Sequence, residues 1–501
     1  MSAVETHPGE AATRTVLRGA GTNALGLAAR FIDPLFQIFI TRVFGPAVVG
    51  VYKTAVPVVE SAATLTVAGY QDGIIAYAGR HVGRRDEEDR AYDIMANALV
   101  VCGVVSAGLG VLAFAGGPGF LRARFGPELL AGGLVTWVQV MIFAVPLLAL
   151  VNLVAAATKT LLIMRYHAAV APLRTGLMFL AAAAAALLGL HRWGLPVAYL
   201  GANLVLAAAA VAVFARHFAL ARLAAALARF RWSGELTRFA LPQNLNMALA
   251  TLLPQMGTLL LGVSGTPAAE VAFYAAGAEI IQAVRQIRIT ASSAFAPMIV
   301  RLHADGRIEE LRHTLSRLMA WTLRLSIPAV LGLVIFRREI LGLWYPAYAR
   351  WDSRFMLLLA VVPLLNSASG FAGNVVVMTG HSRWNLLNSA IGLAVTAAVS
   401  WLLIPHYGLL GAAVGAAAAM VATGTLELWE ARWLLGLRPR LAIVAPPLVA
   451  GAAAVGVAAA TWPWLQAGGF GFHLLQAALA GGAYAGALAL YPSRPAPAAA
   501  L

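Results

Sequence analysis

The chain has 501 residues, of which 60% are hydrophobic and only 11% charged. A soluble domain carries roughly 25% charged residues, so this composition, with a mean hydropathy of +0.79, excludes one. The formal net charge of +15 does not mark a nucleic-acid partner either, because Lys and Arg fall in short clusters between long apolar runs. A β-barrel would show short alternating segments instead. The expectation is an all-α polytopic membrane protein.

In chain order, Met1 to Thr15 is polar and lacks the apolar core of a cleaved signal, so 1–15 reads as a cytoplasmic tail. The first apolar stretch, Val16 to Gly45, is long enough to span the ~30 Å hydrocarbon core. Yet Arg30 and Asp33 sit in its middle, one helical turn apart, with Asn23 and Gln37 near the same face. A charge at mid-bilayer costs at least ~2.5–3.5 kcal/mol, so such residues face a bundle interior or a wet cavity. Either Arg30 and Asp33 form a structural pair, or Arg30 meets an anionic cargo and Asp33 is its counter-charge.

Hydropathy places about fourteen spans, near 16–42, 47–78, 93–116, 129–157, 171–190, 196–215, 238–262, 270–298, 314–336, 354–379, 384–404, 408–430, 441–461 and 473–491. Pro34, Pro57, Pro146, Pro254, Pro328 and Pro363 mark expected kinks, since each removes a backbone donor. With the N-terminus inside, most Lys and Arg fall on the cytoplasmic side; Arg337 and Arg338 are the main exception. The segment Arg216–Arg238 alternates arginines with Phe218, Leu220, Leu223 and Leu227 as an interfacial amphipathic helix does. The tail after residue 491 is rich in Pro and Ala and reads as disordered.

Two halves of the chain echo one another in order. FGPAVVGVY (Phe44–Tyr52) is matched by GTPAAEVAFY (Gly265–Tyr274), each before a long span and a charged loop. Val145-Pro146-Leu147-Leu148 recurs as Val362-Pro363-Leu364-Leu365, and HRWGLPVAYLGA (His191–Ala202) as PHYGLLGAAVGA (Pro405–Ala416). Six spans per repeat give both repeats one orientation, and parallel repeats build two-lobed transporters. The expected organisation is an N-lobe at 16–215, an amphipathic cytoplasmic linker at 216–237, a C-lobe at 238–440, two additional spans at 441–491 and a tail at 492–501.

On these residues the chain resembles the multidrug/oligosaccharidyl-lipid/polysaccharide exporter superfamily, and within it the oligosaccharide (polysaccharide) flippases. The stretch Asn23–Tyr52, the charged loop after span two and VAFYAAGAE at the start of span eight carry the resemblance. It implies two six-helix lobes in a V, and transfer of a polyprenyl-diphosphate-linked sugar from the inner to the outer leaflet. Fourteen spans resemble the branch that includes lipid II flippases, in which cationic residues of span one face the cavity, as Arg30 would. Span two departs from that branch, offering Glu60 and Asp72 where it is basic.

Span eight is the second charged span, with Glu279, Gln282, Arg285, Gln286 and Arg288 within ten residues. Arginine suits a diphosphate because its planar fork pairs two oxygens and stays charged when desolvated. Spans seven and ten carry neutral polar groups, among them Asn244, Gln255, Asn366 and Asn374, that suit a glycan or an interhelical hydrogen bond. The expected cavity set is therefore Arg30, Arg285, Arg288, Asn244, Gln255, Asn366 and Asn374, with Asp33, Glu60 and Glu279 as counter-charges or coupling acids. No P-loop, HExxH or GxSxG motif occurs, and the single Cys102 lies in an apolar run, so no enzyme, cofactor or metal site is expected.

The reading is an inner-membrane flippase for lipid-linked oligosaccharide, with both termini cytoplasmic. Its expected partners are that lipid-linked oligosaccharide, membrane lipids and a glycan polymerase or other assembly protein, with no nucleic acid. The alternative is a cation-coupled multidrug exporter of the same superfamily, whose cavity would be acidic and aromatic. An intramembrane ligase or a non-transporting scaffold for glycan assembly are the readings of a different class.

Overall fold

The computed structural model describes residues 32–82, 87–161, 163–379, 381–465 and 470–491. Arg30, Asn23 and the two terminal tails lie outside the described residues. Every regular element among those described is helical. The chain falls into two units, Met1–Thr251 and Leu252–Leu501.

In the first unit, α1 (Ile32–Phe44) passes into α2 (Pro46–Tyr77) at Gly45. Gly45 has φ 84°, which glycine adopts without steric cost, and Pro46 opens α2 where its missing N–H leaves no bond unmade. Next come α3 (Glu88–Ala115), α4 (Leu134–Met141) and α5 (Ala144–Thr160), then the hairpin of α6 (Met164–Leu187) and α7 (Gly194–His217). The short α8 (Leu220–Ala228) occupies the expected amphipathic segment, with Leu223 and Leu227 packed on the core and Arg222 paired with Glu88. α9 (Gly234–Leu252) closes the unit.

The second unit runs through α10 (Met256–Val263), α11 (Ala268–Ala283), α12 (Arg285–Ala304), α13 (Ile308–Ile335), α14 (Arg337–Trp344) and α15 (Val361–Met378). The hairpin α16 (Ser382–Tyr407) and α17 (Leu409–Leu435) follows, then α18 (Leu441–Leu465) and α19 (Phe470–Leu490). α17 ends on Gly436 at φ 66°: Gly436 N–H donates to Arg432 O at 3.1 Å and Leu437 N–H to Ala431 O at 3.0 Å. That left-handed cap satisfies the last carbonyls and buries Leu437.

The sequence echoes occupy matching places in the two units. Pro146 and Pro363 are each the third residue of a helix, α5 and α15, where a missing N–H is tolerated. His191–Ala202 leads into α7 and Pro405–Ala416 into α17, each the second arm of a hairpin. The expected seventh span is broken: Pro254 lies in the 3-10 turn Leu253–Gln255 between α9 and α10, next to the boundary of the two units.

Eleven helical stretches among the described residues are long and apolar enough to cross a membrane, and the chain is a multi-pass membrane protein. Three expected spans are not among the eleven, and the first of them begins outside the described residues. These are the first span, α2 with Lys53, Glu60 and Asp72, and the α11–α12 pair with Glu279, Arg285 and Arg288. In α2 and in the α11–α12 pair, charge lowers the hydropathy of the helix that retains it.

Close backbone approach fixes the packing within each unit. A Cβ at Gly69 of α2 would lie 2.1 Å from the carbonyl oxygen of Ala240 in α9. A Cβ at Gly411 would lie 2.5 Å from Leu403 C, drawing the arms of the α16–α17 hairpin together. Small residues allow this contact where apolar lipid provides no hydrophobic drive for helices to associate. Cys102 is fully buried in the first core beside Tyr70 and Met95. The second core includes Phe371 and Val375 of α15 together with Val444, Ala454 and Tyr484 from the last two helices.

Candidate functional site

The expected eighth span is broken at Val284, where the N–H of Ile287 donates to the Val284 carbonyl at 3.1 Å in a tightened turn. No Gly or Pro marks this break. Arg285 begins α12 and Arg288 follows within one turn. Arg288 is 8% exposed and reaches α15: its Nε donates to Asn366 Oδ1 at 2.6 Å and a terminal nitrogen to Gly370 O at 3.3 Å.

The residue types of α15 explain that fit. A Cβ at Gly370 would lie 3.0 Å from Arg288 Nε, and a Cβ at Gly373 would lie 2.9 Å from the carboxylate of Glu427 in α17. Gly370 and Gly373 share one face of α15, so together they open a slot for an arginine and a glutamate. Glu427 is in electrostatic reach of both Arg285 and Arg288. One turn on, the buried Glu430 accepts from Asn388 Nδ2 at 2.9 Å. Asn374 Nδ2 donates to Ser292 Oγ at 2.5 Å, a second bond between α15 and α12.

Two guanidiniums thus stand in electrostatic reach of one carboxylate, Glu427, which in turn senses Glu430. Arg288 spends its donors on α15, whereas the buried Nε of Arg285 has no hydrogen-bond partner among the described residues. The same holds for one carboxylate oxygen each of Glu427 and Glu430. An oxyanion arriving at Arg285 would meet an unsatisfied donor and a displaceable counter-charge.

The first unit holds a separate charged cavity of about 250 Å³. Its wall includes Glu60, Thr64 and Gln71 of α2, Asn152 of α5 and Arg174 of α6. Arg174 donates to Glu60 Oε1 at 2.8 Å, and its guanidinium lies 5.2 Å from the ring centre of buried Tyr199. The adjacent Thr175 donates to Asp33 in the first turn of α1, so two successive residues of α6 engage both expected acids of the first unit.

The other expected residues are placed as follows. Asn244 is buried in α9 and its Oδ1 accepts from Gly69 N–H at 2.5 Å, at the close contact with α2. Gln255 is half-buried in the turn between α9 and α10, and Glu279 is half-buried in α11 ahead of the break. Arg174 lies in α6, which begins at Met164, ahead of the span expected from residue 171. The polar start of α6, RYHAAVAPLRT, hides a helix that hydropathy alone starts later. Glu427 and Glu430 went unremarked although both lie in the expected twelfth span, where their presence was itself a signal.

Residues 17–303 match the family described as polysaccharide biosynthesis protein. No curated protein matches this chain. Among solved structures, the chain is similar to a multidrug resistance MATE family transporter of the MOP superfamily in its inward-facing conformation. The TM-score is 0.66 at 14% identity, over 81% of this chain and 94% of that one. It is also similar to the lipid II flippase MurJ in an inward closed conformation, with a TM-score of 0.62 at 10% identity over 93% and 98% of the two chains. An outward-facing MATE transporter of the same superfamily matches with a TM-score of 0.57 at 14% identity, over 82% and 93%. Identities this low establish the fold.

Proposed function

The chain belongs to the polysaccharide biosynthesis protein family, and from that premise we propose that it is a flippase for a polyprenyl-diphosphate-linked oligosaccharide. It carries this cell-surface polysaccharide precursor from the cytoplasmic to the outer leaflet of a bacterial inner membrane by alternating access, with both termini cytoplasmic. The observation that carries the reading is the half-buried Arg285 and the buried Arg288, at a helix break of a multi-pass membrane protein and in electrostatic reach of Glu427. A diphosphate leaving the headgroup region needs fixed cations, and arginine remains charged when desolvated. Arg285 supplies an open donor and Arg288 fixes α12 to α15. Asn374 and its bond to Ser292 keep the same two helices in register for the glycan.

The site performs no bond chemistry in this scheme, so direction must come from elsewhere. Moving one elementary charge through 100 mV releases ~2.3 kcal/mol, enough to bias a cycle. Glu427 balances the arginines when no cargo is present and yields Arg285 when the diphosphate arrives. A glycan polymerase or other assembly protein consuming the product would draw the cycle forward.

The half-buried acids Glu60 and Glu427 and the buried Glu430 favour one second reading, export of cationic drugs. Reconstituted into liposomes, the wild type should move a labelled polyprenyl-diphosphate saccharide between leaflets. Arg285→Ala should insert normally and lose that activity. Normal flipping by Arg285→Ala, together with efflux of a cationic dye that Glu427→Gln abolishes, would establish the drug-export reading instead.

A further inference from the structure

We infer that the cavity of the first unit is a subsite for a single carboxylate-bearing sugar residue, whose carboxylate takes the place of Glu60 on Arg174. The inference rests on the flippase reading and names the chemistry of one part of the cargo. At about 250 Å³ the cavity is smaller than the ~300–1,000 Å³ of drug-sized ligand sites, so it takes one small polar unit.

The guanidinium is only half used. Glu60 meets Arg174 through one nitrogen and one oxygen at 2.8 Å, whereas a carboxylate facing the arginine fork squarely makes two parallel bonds. The buried Nε of Arg174 has no partner among the described residues. Tyr199 backs the guanidinium and holds its plane. A ligand carboxylate bridging Nε and the terminal nitrogen makes the two bonds that Glu60 does not. Glu60 turns to the vacated space as it leaves.

The rest of the wall selects the ligand class. Gln71 and Asn152 offer amide donors and acceptors suited to sugar hydroxyls, and Met247 gives an apolar side for a ring face. Among the described lining residues Arg174 is the only cation, and the anion Glu60 stands beside it. A monoanion can exchange with that carboxylate, whereas a diphosphate would bring at least two charges to one guanidinium and be repelled by Glu60.

The test uses purified full-length protein in nanodiscs, with sodium glucuronate, glucose and inorganic phosphate as probes and calorimetric titration as the readout. Glucuronate should bind at least tenfold more tightly than either other probe. Arg174→Gln should lose the binding, whereas Glu60→Gln should tighten it about tenfold, because one charge-assisted competitor is gone. An ion pair that only holds helices together predicts the opposite sign for Glu60→Gln. Asn152→Leu leaves the pair intact and should weaken glucuronate several-fold, which keeps the test decisive if an ion-pair variant fails to fold. Equal binding of phosphate, or unchanged binding in both Glu60→Gln and Asn152→Leu, overturns the inference. Such a result with normal Arg285-dependent flipping leaves the flippase reading standing, while flipping that ignores Arg285→Ala removes that reading by itself.

Discussion

Arg288 Nε lies 2.6 Å from Asn366 Oδ1, joining the first turn of α12 to α15 across 78 residues of sequence. The bond is possible because position 370 lacks a side chain: a Cβ there would lie 3.0–3.1 Å from three atoms of the guanidinium arm. Gly370→Ala should therefore push Arg288 off Asn366 and lower the stability of the second unit by about 1.5–3 kcal/mol, the worth of a hydrogen bond to a charged group. Chemical denaturation in detergent measures it. An unchanged midpoint means that Arg288 is not held as described.

Glu427 is in electrostatic reach of Arg285 and Arg288, and removing one member of a charged set shielded from water leaves the others uncompensated. Glu427→Gln should destabilise the protein by about 3–5 kcal/mol, while the double variant Glu427→Gln/Arg285→Gln should recover much of the loss. A double-mutant cycle on thermal unfolding gives the coupling energy. Strictly additive effects would show that Glu427 and Arg285 do not interact.

Two glycines in the first unit should respond in opposite ways to the same methyl group. Gly69→Ala puts Cβ 2.1 Å from the backbone oxygen of Ala240, where no side chain can move aside, and should cost more than about 2 kcal/mol. Gly103→Ala in α3 meets nothing within 4 Å and should be neutral or stabilising by up to about 1 kcal/mol. Unfolding midpoints of the two variants, measured side by side, check both signs.

Arg337 in α14 sits 4.5 Å from the ring centre of Trp462 and donates to Val334 O at 2.8 Å. Burial pulls its guanidinium down to about 10, with Arg338 adding to the shift. A base depressed on folding is less protonated in the folded than in the unfolded chain, so its contribution to stability rises with pH. The rise begins near pH 10 and ends near the ordinary arginine value, with a slope of at most about 1.4 kcal/mol per pH unit. Comparing the wild type with Arg337→Gln between pH 9.5 and 11.5 isolates this limb, which should be flatter in the variant. Parallel curves would mean that Arg337 keeps its proton throughout.

The distribution of Lys and Arg predicts both termini inside, with residue 265 outside and residue 84 inside. In a Cys102→Ser background, an impermeant thiol reagent applied to intact cells should label Gly265→Cys and spare Arg84→Cys. The reverse pattern inverts the topology.

Much of the architecture was legible without coordinates because membrane insertion is read from local composition. Long apolar runs and the paired echoes are local features that the linear sequence carries, whereas Pro146 and Pro363, expected as kinks within spans, stand in the first turns of α5 and α15. Arg285, Arg288, Asn366 and Asn374 were also visible one by one, since a polar residue in an apolar run is conspicuous wherever it ends up.

Which charge meets which was a different matter. Arg285 was matched in sequence with nearby Glu279, yet the carboxylate set against both arginines is Glu427, 142 residues beyond Arg285. Glu60 was expected as a counter-charge or coupling acid with no named partner and is paired with Arg174, whose helix starts earlier than hydropathy places it. Asp33 was set against Arg30 and accepts a hydrogen bond from Thr175. Helical spacing determines which residues share a face and says nothing of which helix that face meets. Only tertiary packing, through slots such as those at Gly370 and Gly373, brought these partners together, because electrostatic pairing depends on distance in space and not along the chain.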